Sequence, residues 1–133
     1  MKTNGIIVRP ASASVKTIMD HFEEFLKNHG ATIYSRIDQQ SQAHKAGIDL
    51  LPLEFLLFGN PAKGIKIIQE NMLSALDLPL KIISWTDVDG QSWVAFNDLA
   101  YLTDRFGLAT DKDSPLNLSP MVEYVLKNQL PRE

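Results

Sequence analysis

The sequence predicts an α+β fold: a single two-layer domain with a mixed sheet of about five strands and three to four helices packed on it. Three observations carry this. Apolar residues after Ser14 recur at helical spacing. Residues 53–58 form a short, almost wholly apolar run, the mark of a covered strand. Two further strand-like runs flank Asp87-Val88-Asp89-Gly90, a hairpin turn with glycine where a positive φ is wanted. Strands and helices mix without strict alternation, which favours α+β over a doubly wound sheet.

Residues 6–9 read as a first strand. Ser14 is a good N-cap, and Val15, Ile18, Met19, Phe22, Phe25 and Leu26 then fall on one helical face. Lys27 and His29 suit the negative end of that helix, and Gly30 stops it. Thr32 to Asp38 alternates, with Ile33, Ser35 and Ile37 on one side and Thr32, Tyr34 and Arg36 on the other. Residues 39–46 suit a short helix closed by Gly47. After the strand at 53–58, residues 61–76 suit a helix with Ile65, Ile68, Met72 and Leu76 as its buried stripe. Leu80 to Thr86 and Ser92 to Asn97 form the hairpin strands. Asp98 caps a helix carrying Leu99, Leu102 and Phe106 that ends at Gly107, and residues 109–118 form a polar connection. Ser119-Pro120 opens a last helix over residues 121–129.

With 133 residues, 44% of them hydrophobic, the chain reads as one domain over residues 1–133 with enough core to fold without staples. A net charge of -3 and no run of Lys or Arg argue against nucleic acid. The absence of cysteine removes disulfides, thiolate metal sites and cysteine nucleophiles. No segment approaches the ~20 apolar residues that span a bilayer, so no membrane is expected and a cytoplasmic location is the expectation.

The most informative stretch is Leu56-Leu57-Phe58-Gly59-Asn60-Pro61-Ala62-Lys63-Gly64. A buried strand runs into a turn that opens a helix, which aims backbone N–H groups at one point, with a lysine in the first turn. Gly59, Asn60, Lys63 and Gly64 are therefore candidate ligand-binding residues for a small anion. A simpler reading makes Asn60 a cap and Pro61 the first helical residue. Asn97 and Asp98, at another strand end, are candidates of second rank and are otherwise a cap. The Walker loop, the Gly-x-Ser-x-Gly elbow, His-Glu-x-x-His and the dinucleotide fingerprint are all missing. His21 and His29 would sit about 12 Å apart on one helix, too far for one metal, and His44 lies apart near Asp49. No metal and no cofactor are expected. Asp87 and Asp89 read as turn residues, and Trp85 and Trp93 as a cross-strand pair.

Over residues 32–108 the sequence resembles the family called domain of unknown function 302. Carrying the likeness are Ile37-Asp38, Ala46-Gly47, Phe58-Gly59-Asn60-Pro61, Lys63-Gly64, Asp77-Leu78-Pro79-Leu80, Trp85, Gly90, Asn97-Asp98, Ala100-Tyr101-Leu102 and Phe106-Gly107-Leu108. Gln39 stands where family members often have histidine, and Gly64-Ile65 and Ile67-Ile68 replace a Gly-Thr and a Leu-Met pair. The resemblance implies a compact α+β domain, frequently a homodimer, and supplies no reaction or ligand.

The expected function is non-enzymatic binding or sensing of a small anionic ligand, or of a partner's carboxylate, at the helix start after the third strand. Two alternatives stand beside it. One is a metal-independent enzyme using Asp38 or Asp98 as general base, for which no nucleophile, base and orienting partner can be named together. The other is a dimeric assembly protein whose C-terminal helix covers a second copy.

Overall fold

A short hairpin opens the chain. The computed structural model describes residues 2–109 and 111–130. Strand β1 (Lys2–Thr3) turns through Asn4 and Gly5 into β2 (Ile6–Ala11). Both turn residues have positive φ, 51° and 78°, the requirement of a two-residue hairpin whose twist matches its strands. Helix α1 (Val15–Asn28) follows, then β3 (Thr32–Asp38) and α2 (Gln39–Lys45). Strand β4 (Leu53–Gly59) leads into α3 (Pro61–Glu70) and a 3₁₀ turn, Met72–Leu76. Strands β5 (Leu80–Thr86) and β6 (Ser92–Asn97) form the second hairpin. Helix α4 (Leu99–Phe106) and α5 (Ser119–Tyr124), the latter running on into a π turn at Val125–Gln129, complete the order.

The strand order is β1-β2-β6-β5-β4-β3. Every pairing is antiparallel, which corrects the expectation of a mixed sheet. The reason lies in α1. It carries the chain from β2 across the sheet to the far edge, so the two strands it joins run the same way but are never neighbours. β3 to β6 then return strand by strand. Strand β2 also runs through Pro10, beyond the two residues, Ile6 and Ile7, that pair with β1, so no bond to β1 is lost there.

One core lies on the α1 face of the sheet. Ile18, Met19 and Phe22 of α1 are fully buried against Leu56 and Ile82, with Val94 and Phe96 beside them. Val122 and Val125 are buried in the same core, so one side of the last helix packs within its own chain, while Tyr124 is 46% exposed. Leu116 and Leu118 are buried as well, so the expected polar connection is an apolar strap at its end.

Two further expectations are corrected. Strand β3 carries a bulge between Ile33 and Ser35, which places Ile33 opposite Phe58 and Arg36 opposite Leu56. Ile33 and Arg36 therefore share the helix side, and strict alternation fails because the bulge adds one residue. The helix expected over residues 61–76 ends at Glu70. Asn71 is extended, its side-chain oxygen accepts from the Leu73 amide at 3.0 Å, and its side-chain amide donates to the Phe106 carbonyl at 2.8 Å. Those bonds start a new turn, and Met72 and Leu76 are left 73% and 70% exposed instead of buried.

Candidate functional site

The junction of β4 and α3 is built as a capped helix start. Asn60 is extended and its side-chain oxygen accepts from the Lys63 amide at 3.2 Å. Pro61 occupies the first helical position, and the Gly64 amide donates to the Asn60 carbonyl at 2.8 Å. The cap and the proline thus use or remove most of the first-turn donors, leaving the Ala62 amide as the open one. The side-chain amide of Asn60 makes no bond within the described residues.

Beside this junction is an open-mouthed cavity of about 320 Å³. Gly59, Asn60, Pro61, Gly64, Ile65 and Ile68 form one wall. Phe25 and Leu26 of α1 and its C-cap His29, with Tyr34 and Phe58, form a second. The turn through Leu78, Pro79 and Leu80, whose Leu78–Pro79 peptide is cis, and the strap Pro115 to Leu118 with Met121 close it. Among the described residues no Asp, Glu, Lys or Arg lines it. His29 stacks on Phe25 at a ring separation of 3.9 Å and 16° between planes, and its Nδ1 lies 2.8 Å from the Phe25 carbonyl. Its polar side chains are Asn60, Asn117, His29 and Tyr34.

Of the six residues expected from the sequence, Gly59, Asn60 and Gly64 line this cavity and three do not. Lys63 falls about 150° round the helix from the strip Pro61, Gly64, Ile65 and Ile68. It is exposed, so the charge expected at the ligand is not in the wall. Asn97 lines a separate hollow of about 210 Å³ with Asp77 and Lys81, which shares the Leu78–Leu80 turn with the first. Asp98 is the N-cap of α4 without a side-chain cap bond, and its amide donates to the Gly5 carbonyl at 2.7 Å.

Asp38, the other candidate base, caps α2 by accepting from the Ser41 amide at 2.9 Å. It lines a polar depression with His44 and Asp49, away from the apolar cavity. Among the described residues no three His, Asp or Glu side chains gather as a metal would require. Trp85 and Trp93 stand directly opposite one another, and the Trp93 indole donates to Asp87 at 2.9 Å. The walls that local sequence did not reveal are Phe25, His29, Tyr34, Leu116 and Met121, brought together only by the fold.

Gly64 requires a reason. It is in a helix interior, where glycine costs about 1 kcal/mol against alanine, and a Cβ built on it meets nothing within 4 Å. Close packing is therefore not the reason. At Gly59 the same atom would meet only Tyr34, at an ordinary 3.8 Å.

A solved structure of an uncharacterised conserved DUF302 protein from Bacillus stearothermophilus has the same fold, with a TM-score of 0.69 at 19% identity over 77% of this chain and 80% of that one. Fluoride-specific ion channel FluC 1 of Brucella suis biovar 1 (strain 1330) is 31% identical over 110 residues, 83% of this chain and 43% of the channel protein. FluC 1 of Brucella abortus biovar 1 (strain 9-941) is also 31% identical over 110 residues, 41% of its length. The chain spans about two-fifths of these curated relatives. No helix among its described residues is long and apolar enough to cross a membrane. The model of the family described as Domain of unknown function DUF302 matches residues 7–121, and the chain belongs to that family.

Proposed function

We propose that this domain is a non-enzymatic binding module that takes a small molecule with an apolar body and an acidic or hydrogen-bond-accepting end. The observation that carries the reading is the cavity of about 320 Å³ at the start of α3, walled almost wholly by apolar groups. Its size lies within the range of small-molecule sites, which are apolar with a few placed polar groups. The unbonded side-chain amide of Asn60 is the donor best placed for an acceptor on the ligand. An isolated inorganic anion is a poorer occupant, because no Lys or Arg among the described residues of the wall offsets its charge.

Among the described residues, no carboxylate lines the same cavity to serve the enzyme reading. The relatives bear the name of a fluoride-specific channel, and this chain matches about two-fifths of them. For this chain that company supports the sensing half of the reading: a ligand-responsive module alongside a transport protein, rather than a pore.

The test is an amide NMR titration of the full chain with decanoate, 1-decanol and inorganic phosphate. Saturable shifts at Gly59, Asn60, Gly64 and Leu116 are expected with decanoate, weaker ones with the alcohol, and none with phosphate. Absence of saturation by any apolar probe to millimolar concentration overturns the reading.

A further inference from the structure

We propose that Gly64 is the specificity-determining position of this cavity, and that its missing side chain lets a flat, two-ring aromatic ligand lie against the α3 backbone. The inference rests on the binding reading above and names the class of ligand. Glycine is the poorest helix former after proline, yet Gly64 is the fourth residue of the ten-residue α3. Its φ is not in the left-handed region, so any L-residue can adopt this backbone. A Cβ there meets nothing within 4 Å, so no neighbouring group demands its absence. What Gly64 does touch is the empty volume. It sits between Pro61 and Ile68 on the wall, where any side chain would project into the cavity.

The rest of the wall favours a stiff, planar occupant. Phe25 and His29 present a stacked pair, Tyr34 and Phe58 add two more rings, and Pro61, Pro79 and Pro115 add rigid faces. Aromatic pairs prefer offset or edge-to-face contact with flat partners. The volume of about 320 Å³ is roughly twice the ~150 Å³ of a cavity that takes benzene, so it has room for two fused rings and an attached polar group. A rigid ligand also loses less freedom on binding than a flexible chain.

The experiment compares 2-naphthoate and decanoate on the full chain and on Gly64→Ala and Gly64→Leu, with dissociation constants from calorimetry and thermal midpoints from circular dichroism. Expected are tighter binding of 2-naphthoate than of decanoate by wild type, and a Gly64→Ala protein that melts higher yet binds 2-naphthoate at least fivefold more weakly. Gly64→Leu should lose 2-naphthoate binding. Unchanged 2-naphthoate affinity in Gly64→Ala overturns the inference, as does failure of that variant to fold, since open space at Cβ forbids it. Preference for decanoate overturns the ligand class and leaves the binding reading standing; binding of neither overturns both.

Discussion

Arg36 Nε donates to Glu54 Oε1 at 2.7 Å, joining β3 to β4 beneath helix α1. The same guanidinium donates to Asp20 at 2.6 Å and to the Lys16 carbonyl at 3.3 Å, so it ties the edge of the sheet to the helix. The bulge in β3 is what turns Arg36 to this side. Glu54 is 9% exposed, so its charge has little water to fall back on.

Removing one partner should therefore cost more than the pair contributes. Arg36→Met leaves Glu54 buried and unpaired, at a cost of about 2–3 kcal/mol. The double variant Arg36→Met/Glu54→Leu should recover most of that loss, because it buries no charge. Urea unfolding of the two single variants and the double one measures the coupling. Additive losses would remove the pair as a structural element.

Asp20 ties the same network to pH. Hydrogen bonds from Lys16 and then Arg36 hold its carboxyl below the usual aspartate value of about 3.9. A depressed carboxylate lends stability above its unfolded value, and that share is lost as pH falls through the lower folded value. Wild type should therefore lose stability more steeply than Asp20→Asn below about pH 3.9. Since Asp20 is half-exposed, the difference should shrink in high salt. Acid unfolding curves of both proteins, at low and high salt, decide it.

Much of this architecture was legible in the chain, and the failures have physical causes. α1 was plain because Val15, Ile18, Met19, Phe22 and Leu26 are all buried on one stripe. The Asp87 turn was plain because its carboxylate accepts from the amides of Asp89 and Gln91, ordinary turn chemistry. The opening hairpin was also written in the sequence, as Asn4-Gly5, the strongest short hairpin signal. It passes unread because two-residue strands leave no periodicity. The stop at Asn71 was hidden because the apolar spacing of Met72 and Leu76 continues the helical pattern past it. In the site, the facing of Gly64 and the wrong side of Lys63 follow from helix geometry alone. The cavity does not, since its walls come from residues as far apart as Phe25 and Met121.

Ser74 is 1% exposed and its hydroxyl finds no partner among the described residues. Burying a hydroxyl without a hydrogen bond is unfavourable, so Ser74→Ala should stabilise the protein by about 0.5–1 kcal/mol. For a chain of this size that is a rise of roughly 2–5 °C in thermal midpoint. A fall in midpoint would show that the hydroxyl is satisfied.

Of the glycines, Gly5 has the least tolerance for a side chain. Its φ of +78° lies in the left-handed region, and a Cβ there would meet Tyr101 Cβ at 2.6 Å. Tyr101 Cβ is fixed to the α4 backbone, so it cannot swing aside as a side-chain tip would. The Gly5 carbonyl also accepts from the Asp98 amide at 2.7 Å, so any shift of the turn strains the start of α4. Conformational strain alone costs about 1–2 kcal/mol, and the overlap adds to it. Gly5→Ala should lose at least about 2 kcal/mol. Gly90→Ala is the control, since its φ of +84° is similar but nothing lies within 4 Å of its Cβ. Equal losses in urea unfolding would assign the whole effect to the backbone; a larger loss at Gly5 assigns the excess to contact with Tyr101.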